Sequence, residues 1–189
     1  MKLKIKKFDS VRSTNDEAIK LIKKNFTKPT LVFANRQTKG KGTRGKKWIS
    51  NKGNVFISIY YEIKSKKIKF DEISILNPRI VKKAINKYFR DDIKIKWPND
   101  LLIKNKKFCG ILQEVIENKN KKYLIIGIGI NTFITPKNKN FKSTNLAHYS
   151  KYMFKNSLII KEIKKAYEEF ISGIYKYNTS YIKKNYLKG

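Results

Sequence analysis

The sequence predicts a single α+β domain with helices packed on a mixed β-sheet. Three observations carry this. Apolar and polar residues alternate in several short segments, two longer stretches show helical periodicity, and short polar turns join the middle segments as hairpins. The 189 residues suit one domain. A 40% hydrophobic and 13% aromatic composition supplies a core and excludes a disordered chain. No internal repeat and no flexible linker divides the sequence, so the domain is expected to fill residues 1–189.

Residues 2–8 alternate and read as the first strand. In Ser13-Thr14-Asn15-Asp16-Glu17, either Thr14 with Glu17 or Ser13 with Asp16 has capping-box spacing. Ala18, Ile19, Leu21 and Ile22 then give a short helix ending near Lys24. Residues 30–35 form a second strand, and 36–47 a loop rich in glycine and lysine. Residues 54–63 alternate again, with Val55, Ile57, Ile59 and Tyr61 on one face. A helix over 71–89 should bend or restart near Pro78, which lacks an N–H and crowds the preceding turn. Residues 93–97, 101–104, 107–116 and 122–133 read as strands, with hairpin turns at Asn105-Lys106 and at 118–120. Residues 134–157 are mostly irregular, 158–177 are helical, and the last dozen form a weaker segment.

Several classes are excluded. The longest nearly apolar run, 123–130, holds two glycines and is too short to span a bilayer. The start, Met1-Lys2-Leu3-Lys4-Ile5-Lys6-Lys7, alternates charge with apolar residues instead of grouping them as a signal peptide does. With Cys109 as the sole cysteine, no internal disulfide can form, and a reducing cytoplasm is expected. One cysteine and one histidine exclude Cys-paired and His-rich metal sites, so no metal ligands are assigned. The net charge of +31, from 45 Lys+Arg against 14 Asp+Glu, invites a nucleic-acid reading. Yet arginine occurs only at 12, 36, 44, 79 and 90, and the lysines are spread along the whole chain. Isoleucine, asparagine, tyrosine and phenylalanine are abundant as well, and AT-rich codons favour all of them along with lysine. The charge therefore reads first as surface composition, and no specific DNA binding is expected. Nonspecific attraction to polyanions at low salt follows in either case.

Seven of the nine glycines fall at 40, 42, 45 and 53, at 110, and at 127 and 129. Gly127 and Gly129 flank Ile128 and leave one strand face bare at two successive positions, where a flat molecule has room to lie or a helix to pack closely. The loop Gln37-Thr38-Lys39-Gly40-Lys41-Gly42-Thr43-Arg44-Gly45-Lys46-Lys47-Trp48 can turn N–H groups and cations onto a phosphate, although it is no Walker A loop. In Lys96-Trp97-Pro98-Asn99-Asp100, Pro98 fixes a turn and Trp97 is too large to stand there unpacked. The hairpin that follows brings Asp100 and Lys107 towards one end of the sheet.

These segments, with Ser13-Thr14-Asn15, Lys107-Phe108-Cys109-Gly110-Ile111-Leu112-Gln113-Glu114 and Gly127-Ile128-Gly129-Ile130-Asn131, occur in an order and spacing that resembles biotin protein ligases. The resemblance implies a class II synthetase-like fold. It also implies two steps: biotin and Mg-ATP give biotinyl-5′-AMP and pyrophosphate, and the acyl group then moves to a lysine of the biotin carboxyl carrier protein of acetyl-CoA carboxylase. ATP with Mg2+ and biotin enter as substrates. By resemblance, Lys107 is the central cation on the biotin carboxylate and the phosphate, Asp100 orients or deprotonates the incoming lysine, and Arg44 assists catalysis from the loop. Ser13, Thr14, Asn15 and Gln37 meet the biotin head group, Gly40 and Lys41 lie at the loop, and Gly110, Gly127 and Gly129 leave room for ring and chain. Thr43, Arg44, Lys46, Trp48, Lys96, Asn99 and Asn131 face the nucleotide, with Trp48 stacked on adenine. Cys109 reads as a small buried hydrophobe, and His148 as a surface or structural residue.

The sequence departs from that family at three points. Thr43 stands where the loop usually has arginine, leaving Arg44 to take over or the adenylate to leak. An N-terminal helix-turn-helix domain is not expected. A C-terminal SH3-like barrel is also expected to be missing. A homodimer through a free sheet edge is compatible with the sequence. A lipoate or octanoate ligase or transferase on the same fold is a competing reading, but its Arg-Arg, Gly-Gly-Gly and His signature is missing. A basic nucleic-acid-binding module and a degenerate paralogue complete the alternatives.

Overall fold

A computed structural model describes residues 1–63, 70–137 and 141–176. The elements are β1 (Lys4–Val11), α1 (Thr14–Lys23), β2 (Thr30–Gln37), β3 (Val55–Glu62), α2 (Phe70–Ile85), β4 (Lys94–Lys96), β5 (Asp100–Ile103), β6 (Lys106–Asn118), β7 (Lys121–Ile130) and α3 (Asn156–Lys176). The strands form one seven-stranded sheet in the order β1-β2-β3-β7-β6-β5-β4. Only β1 and β2 run parallel, so the sheet is mixed, as the alternating segments predict.

One sheet face carries the main core. Val55, Ile57, Ile59 and Tyr61 of β3 pack with Ile126 and Ile128 of β7 against Leu76 and Ile80 of α2 and Ile163, Tyr167 and Phe170 of α3. The other face takes α1, whose Ala18, Leu21 and Ile22 meet Val32, Tyr60 and Ile125. Both faces of β3 are thus covered, and that is why its residues are buried from Val55 to Tyr61.

The elements differ from expectation where a side chain satisfies a backbone group. Helix α2 runs through Pro78 without interruption. The carbonyl of Ser74, which Pro78 cannot bond, accepts from Gln113 Nε2 at 3.3 Å. The helix ends at Ile85, and a single 3-10 turn, Asn86–Tyr88, continues it. Strand β7 stops at Ile130, short of the expected residue 133. Beyond it, Asn54 Oδ1 accepts from the N–H groups of Thr132, Phe133 and Ile134 at 2.9–3.1 Å and draws the chain off the sheet. The first hairpin turn is Lys104-Asn105, one residue earlier than expected, and the second is Lys119-Asn120. All four turn residues have φ between 50° and 59°, the pattern whose twist suits a two-residue hairpin. The expected weak segment at the C-terminus lies outside the described residues.

Candidate active site

Ser13 caps α1 in extended conformation (φ −152°, ψ 143°), its Oγ accepting from the N–H of Asn15. Asp16 does not turn back to complete a capping box. It pairs with Lys41 of the glycine-rich loop instead. The cap places Thr14 and Asn15 over the sheet face where β2, β3, β7 and β6 meet. There a continuous ladder of hydrogen bonds forms. Glu114 Oε2 accepts from Asn15 Nδ2 at 2.6 Å, Ser58 Oγ lies 2.5 Å from Asn15 Oδ1 and 2.8 Å from Thr14 Oγ1, and Gln37 Oε1 accepts from the Thr14 N–H at 2.8 Å. Gln37 Nε2 donates to Ser50 Oγ at 3.0 Å, which reaches the carbonyl of Trp48 at 3.2 Å. Thr14, Asn15 and Ser58 are 4%, 2% and 0% exposed.

The loop folds back on itself. Gly42 N–H donates to Lys46 O at 2.7 Å, and Trp48 N–H donates to Gly40 O at 2.9 Å. A 3-10 turn at Thr43–Gly45 holds Arg44 at φ 55° and leaves its side chain exposed. Trp48 lies flat across the bare strand face. Gly110 and Gly129 are register partners on β6 and β7, and a Cβ on either would meet the indole at 2.5–2.6 Å. Gly127 has a different role from the one its spacing implies: a Cβ there would meet Asn15 Oδ1 at 2.3 Å. The glycines that read as space for a flat ligand accommodate two side chains of the protein itself. Among the described residues the indole Nε1 is buried without a hydrogen-bond partner.

At the other end of the cleft Lys107 Nζ lies 2.7 Å from Asp100 Oδ1, so the hairpin does bring ammonium and carboxylate together. The ammonium stands 5.4 Å from the Trp48 ring centroid and 5.1 Å from that of Phe141, both within cation–π reach. Phe141 is brought there by residues 142–144, which strap onto β6 through Lys107 N–H to Lys142 O and Thr144 N–H to Lys107 O, each 2.9 Å. Next to this pair Cys109 is fully buried, and burial pushes its thiol far above the ordinary range despite the Lys107 charge. It packs as a hydrophobe and does not act as a nucleophile. His148 is exposed.

With Trp48 in place, the free cavity between the two ends is only about 50 Å³. Of the predicted residues, Ser13, Thr14, Asn15, Gln37, Lys41, Thr43, Trp48, Asn99, Lys107, Gly110, Gly127 and Gly129 line it. Asp100 borders it through Lys107. Gly40 sits behind it, where a Cβ would strike Ser50 Oγ and Trp48 O at 2.6 Å. Arg44, Lys46 and Lys96 are exposed and do not line it. Asn131 is 1% exposed, its Nδ2 donating to Thr144 O at 3.2 Å. Trp97 is less packed than its size led us to expect: it is 47% exposed, with the Arg79 guanidinium 5.4 Å from its ring.

Sequence reasoning missed Ser58, Ser50, Glu114 and Phe141. A serine among the aliphatic and aromatic residues of Val55–Glu62 was a readable signal; Glu114 stands on a strand with other polar and charged residues, and neither it nor Phe141 carried one. Among the described residues no helix is long and apolar enough to cross a membrane.

Residues 7–131 match the model of the biotin/lipoate A/B protein ligase family. The bifunctional ligase/repressor BirA of Bacillus subtilis (strain 168) is 37% identical over 125 residues, which are 65% of this chain and 38% of that protein. The biotin protein ligase from Aquifex aeolicus in complex with biotin and ATP superposes with a TM-score of 0.75 at 26% identity, covering 92% of this chain and 73% of that one. The biotin acetyl coenzyme A carboxylase synthetase from Helicobacter pylori with bound biotinylated ATP does so with a TM-score of 0.69 at 25% identity, covering 89% and 75%. The chain spans well under half the length of the Bacillus protein.

Proposed function

The chain belongs to the biotin/lipoate A/B protein ligase family, and from that premise we propose that it is a biotin protein ligase. One observation carries the choice of substrate: the cleft has a buried ladder of hydroxyls and amides at one end and an ammonium at the other. Biotin has the matching order of groups, a ureido ring with N–H and C=O, an alkyl chain and a carboxylate. Lipoate and octanoate offer no hydrogen-bonding ring. Either would leave Thr14, Asn15, Ser58 and Gln37 facing an apolar group, the kind of mismatch that discriminates strongly between substrates.

In the first step the biotin carboxylate attacks the α-phosphorus of Mg-ATP and pyrophosphate leaves. Lys107 sits where it can hold that carboxylate and the charge that grows on the phosphoryl oxygens. The chain of the substrate needs the strip that Trp48 covers, so the indole moves off Gly110 and Gly129 and becomes free to face adenine. The loop's return path from Gly40 to Trp48 keeps water from the mixed anhydride once closed. Thr43 and Asn99 are the nucleotide contacts nearest the cleft; Asn131 is buried beside it and does not line it, and Arg44, Lys46 and Lys96 join only if the loop and the β4 edge close inwards. In the second step a carrier lysine attacks the acyl carbon and AMP leaves. Asp100, already paired with one ammonium, orients the second amine or takes its proton. An acidic carrier, the carboxyl carrier protein of acetyl-CoA carboxylase, would be drawn to a chain of charge +31.

The test is ATP–pyrophosphate exchange with Mg2+, comparing biotin, lipoate and octanoate. Exchange that requires biotin is the expected result. Exchange only with lipoate or octanoate would keep the family and overturn the substrate, and exchange with none would overturn the activity.

A further inference from the structure

We infer that Glu114, which touches no substrate in the scheme above, is a positioning residue that anchors the Asn15 amide and through it keeps the head-group ladder assembled for the substrate. The inference rests on the reading of the cleft as a biotin site and deepens it. A carboxylate only accepts hydrogen bonds, so its 2.6 Å contact obliges Asn15 to present Nδ2 to Glu114. The other half of that amide, Oδ1, then points at Ser58 from 2.5 Å. Ser58 has one proton, and the acceptor at 2.5 Å takes it in preference to Thr14 Oγ1 at 2.8 Å. Thr14 in turn is 3.1 Å from Gln37 Oε1, to which it can donate. A lone pair of Thr14 Oγ1 is therefore left open towards the cleft, where a ligand N–H can use it.

Without the carboxylate nothing fixes the Asn15 amide. Released, it can turn Nδ2 towards Ser58, and the order of hydrogen bonds that runs from Asn15 through Ser58 to Thr14 is lost. The geometry allows no looser arrangement. Asn15 and Ser58 are 2% and 0% exposed, and Gly127 opposite Ser58 leaves only enough room for the Asn15 amide. Glu114 reaches the ladder across 99 residues of sequence, from the strand that also carries Lys107 and Gly110.

Biotin binding by calorimetry, with ATP–pyrophosphate exchange alongside, tests this on wild type, Glu114→Leu, Glu114→Ala and Glu114→Gln. Losing the charged partner should weaken biotin binding and raise the biotin KM about tenfold in the Leu and Ala variants. Their kcat at saturating biotin and KM for ATP should stay within about twofold of wild type. Glu114→Gln, whose Oε1 still accepts from Asn15, should restore the biotin KM to within about threefold. Should Glu114→Leu not fold, Glu114→Ala carries the same expectation. Unchanged biotin affinity in whichever of these variants folds, an equal rise in the KM for ATP, or failure of Glu114→Gln to rescue would overturn the inference and leave the proposed activity standing. Absence of biotin binding by wild type would overturn both.

Discussion

Gly127 and Gly129 lie two residues apart on β7, yet an added methyl group should have very different consequences at the two positions. At Gly127 the new Cβ falls 2.3 Å from Asn15 Oδ1, about 1 Å short of ordinary contact. Asn15 has nowhere to retreat, because it is 2% exposed and held by Ser58 at 2.5 Å and Glu114 at 2.6 Å. Relieving the clash breaks both bonds. That costs about 1 kcal/mol for the neutral one and about 1.5–3 for the charged one. Residual overpacking adds about 1–3 kcal/mol. The sum, about 3.5–7 kcal/mol, corresponds to a fall in Tm of roughly 10 °C or more for a chain of this size. At Gly129 the Cβ meets the Trp48 indole at 2.5 Å, but this ring belongs to a loop and its Nε1 is buried without a partner among the described residues. The ring can lift and let Nε1 reach water, so the net cost is about 1 kcal/mol and the fall in Tm about 2–4 °C. The backbone effects of replacing glycine by alanine act at both positions and largely cancel in the comparison. Thermal unfolding of Gly127→Ala and Gly129→Ala, each on a Trp97→Phe background, measures both costs, and Trp48 emission should shift to longer wavelength only in Gly129→Ala. Equal melting temperatures, or unmoved emission in Gly129→Ala, would refute this account of what the glycines accommodate.

Lys107→Ala should lower biotin-dependent exchange by about 10²–10³, the cost of removing one preorganised charge, while melting changes little because the pair with Asp100 is partly solvated. An unaffected rate would remove Lys107 from the mechanism. Thr43 lines the cleft, while the exposed Arg44 does not reach it with the loop in this position. Thr43→Arg should hold the adenylate more firmly and reduce labelling of a noncarrier protein, and equal labelling by both forms would count against it. Burial alone would raise the Glu168 carboxyl, but bonds from the Lys164 ammonium and the Leu3 N–H (2.7 Å) outweigh it and hold the group below the usual range. Its stabilising contribution is therefore complete above about pH 4.3 and is lost as pH falls through the lower folded value. Glu168→Gln, which does not titrate, should lose less Tm than wild type between about pH 5 and pH 3.

Local chemistry made much of this protein readable before any tertiary structure was known. The period-2 pattern marks β3, and two Lys-Asn turns with positive φ join antiparallel neighbours. The short hairpin between β5 and β6 is enough to bring Asp100 and Lys107 together. Such features depend on residues within a dozen positions of one another, where propensity and turn geometry decide. What occupies the cleft was settled by a different order of contact. Strand β3 pairs with β7 across more than sixty residues, and that pairing sets Ser58 beside Gly127 and leaves α1 to lay Asn15 between them. The same arrangement brings Glu114 to Asn15, and the loop lays Trp48 over Gly110 and Gly129. A bare glycine face looks the same in sequence whether a ligand or a side chain is to fill it. The close packing of three distant segments on one sheet face decides between them, because each gap there must be filled or its lining loses contact. Pro78 teaches the same lesson: its helix continues, and the carbonyl that the proline frees accepts from Gln113 on a strand across the core.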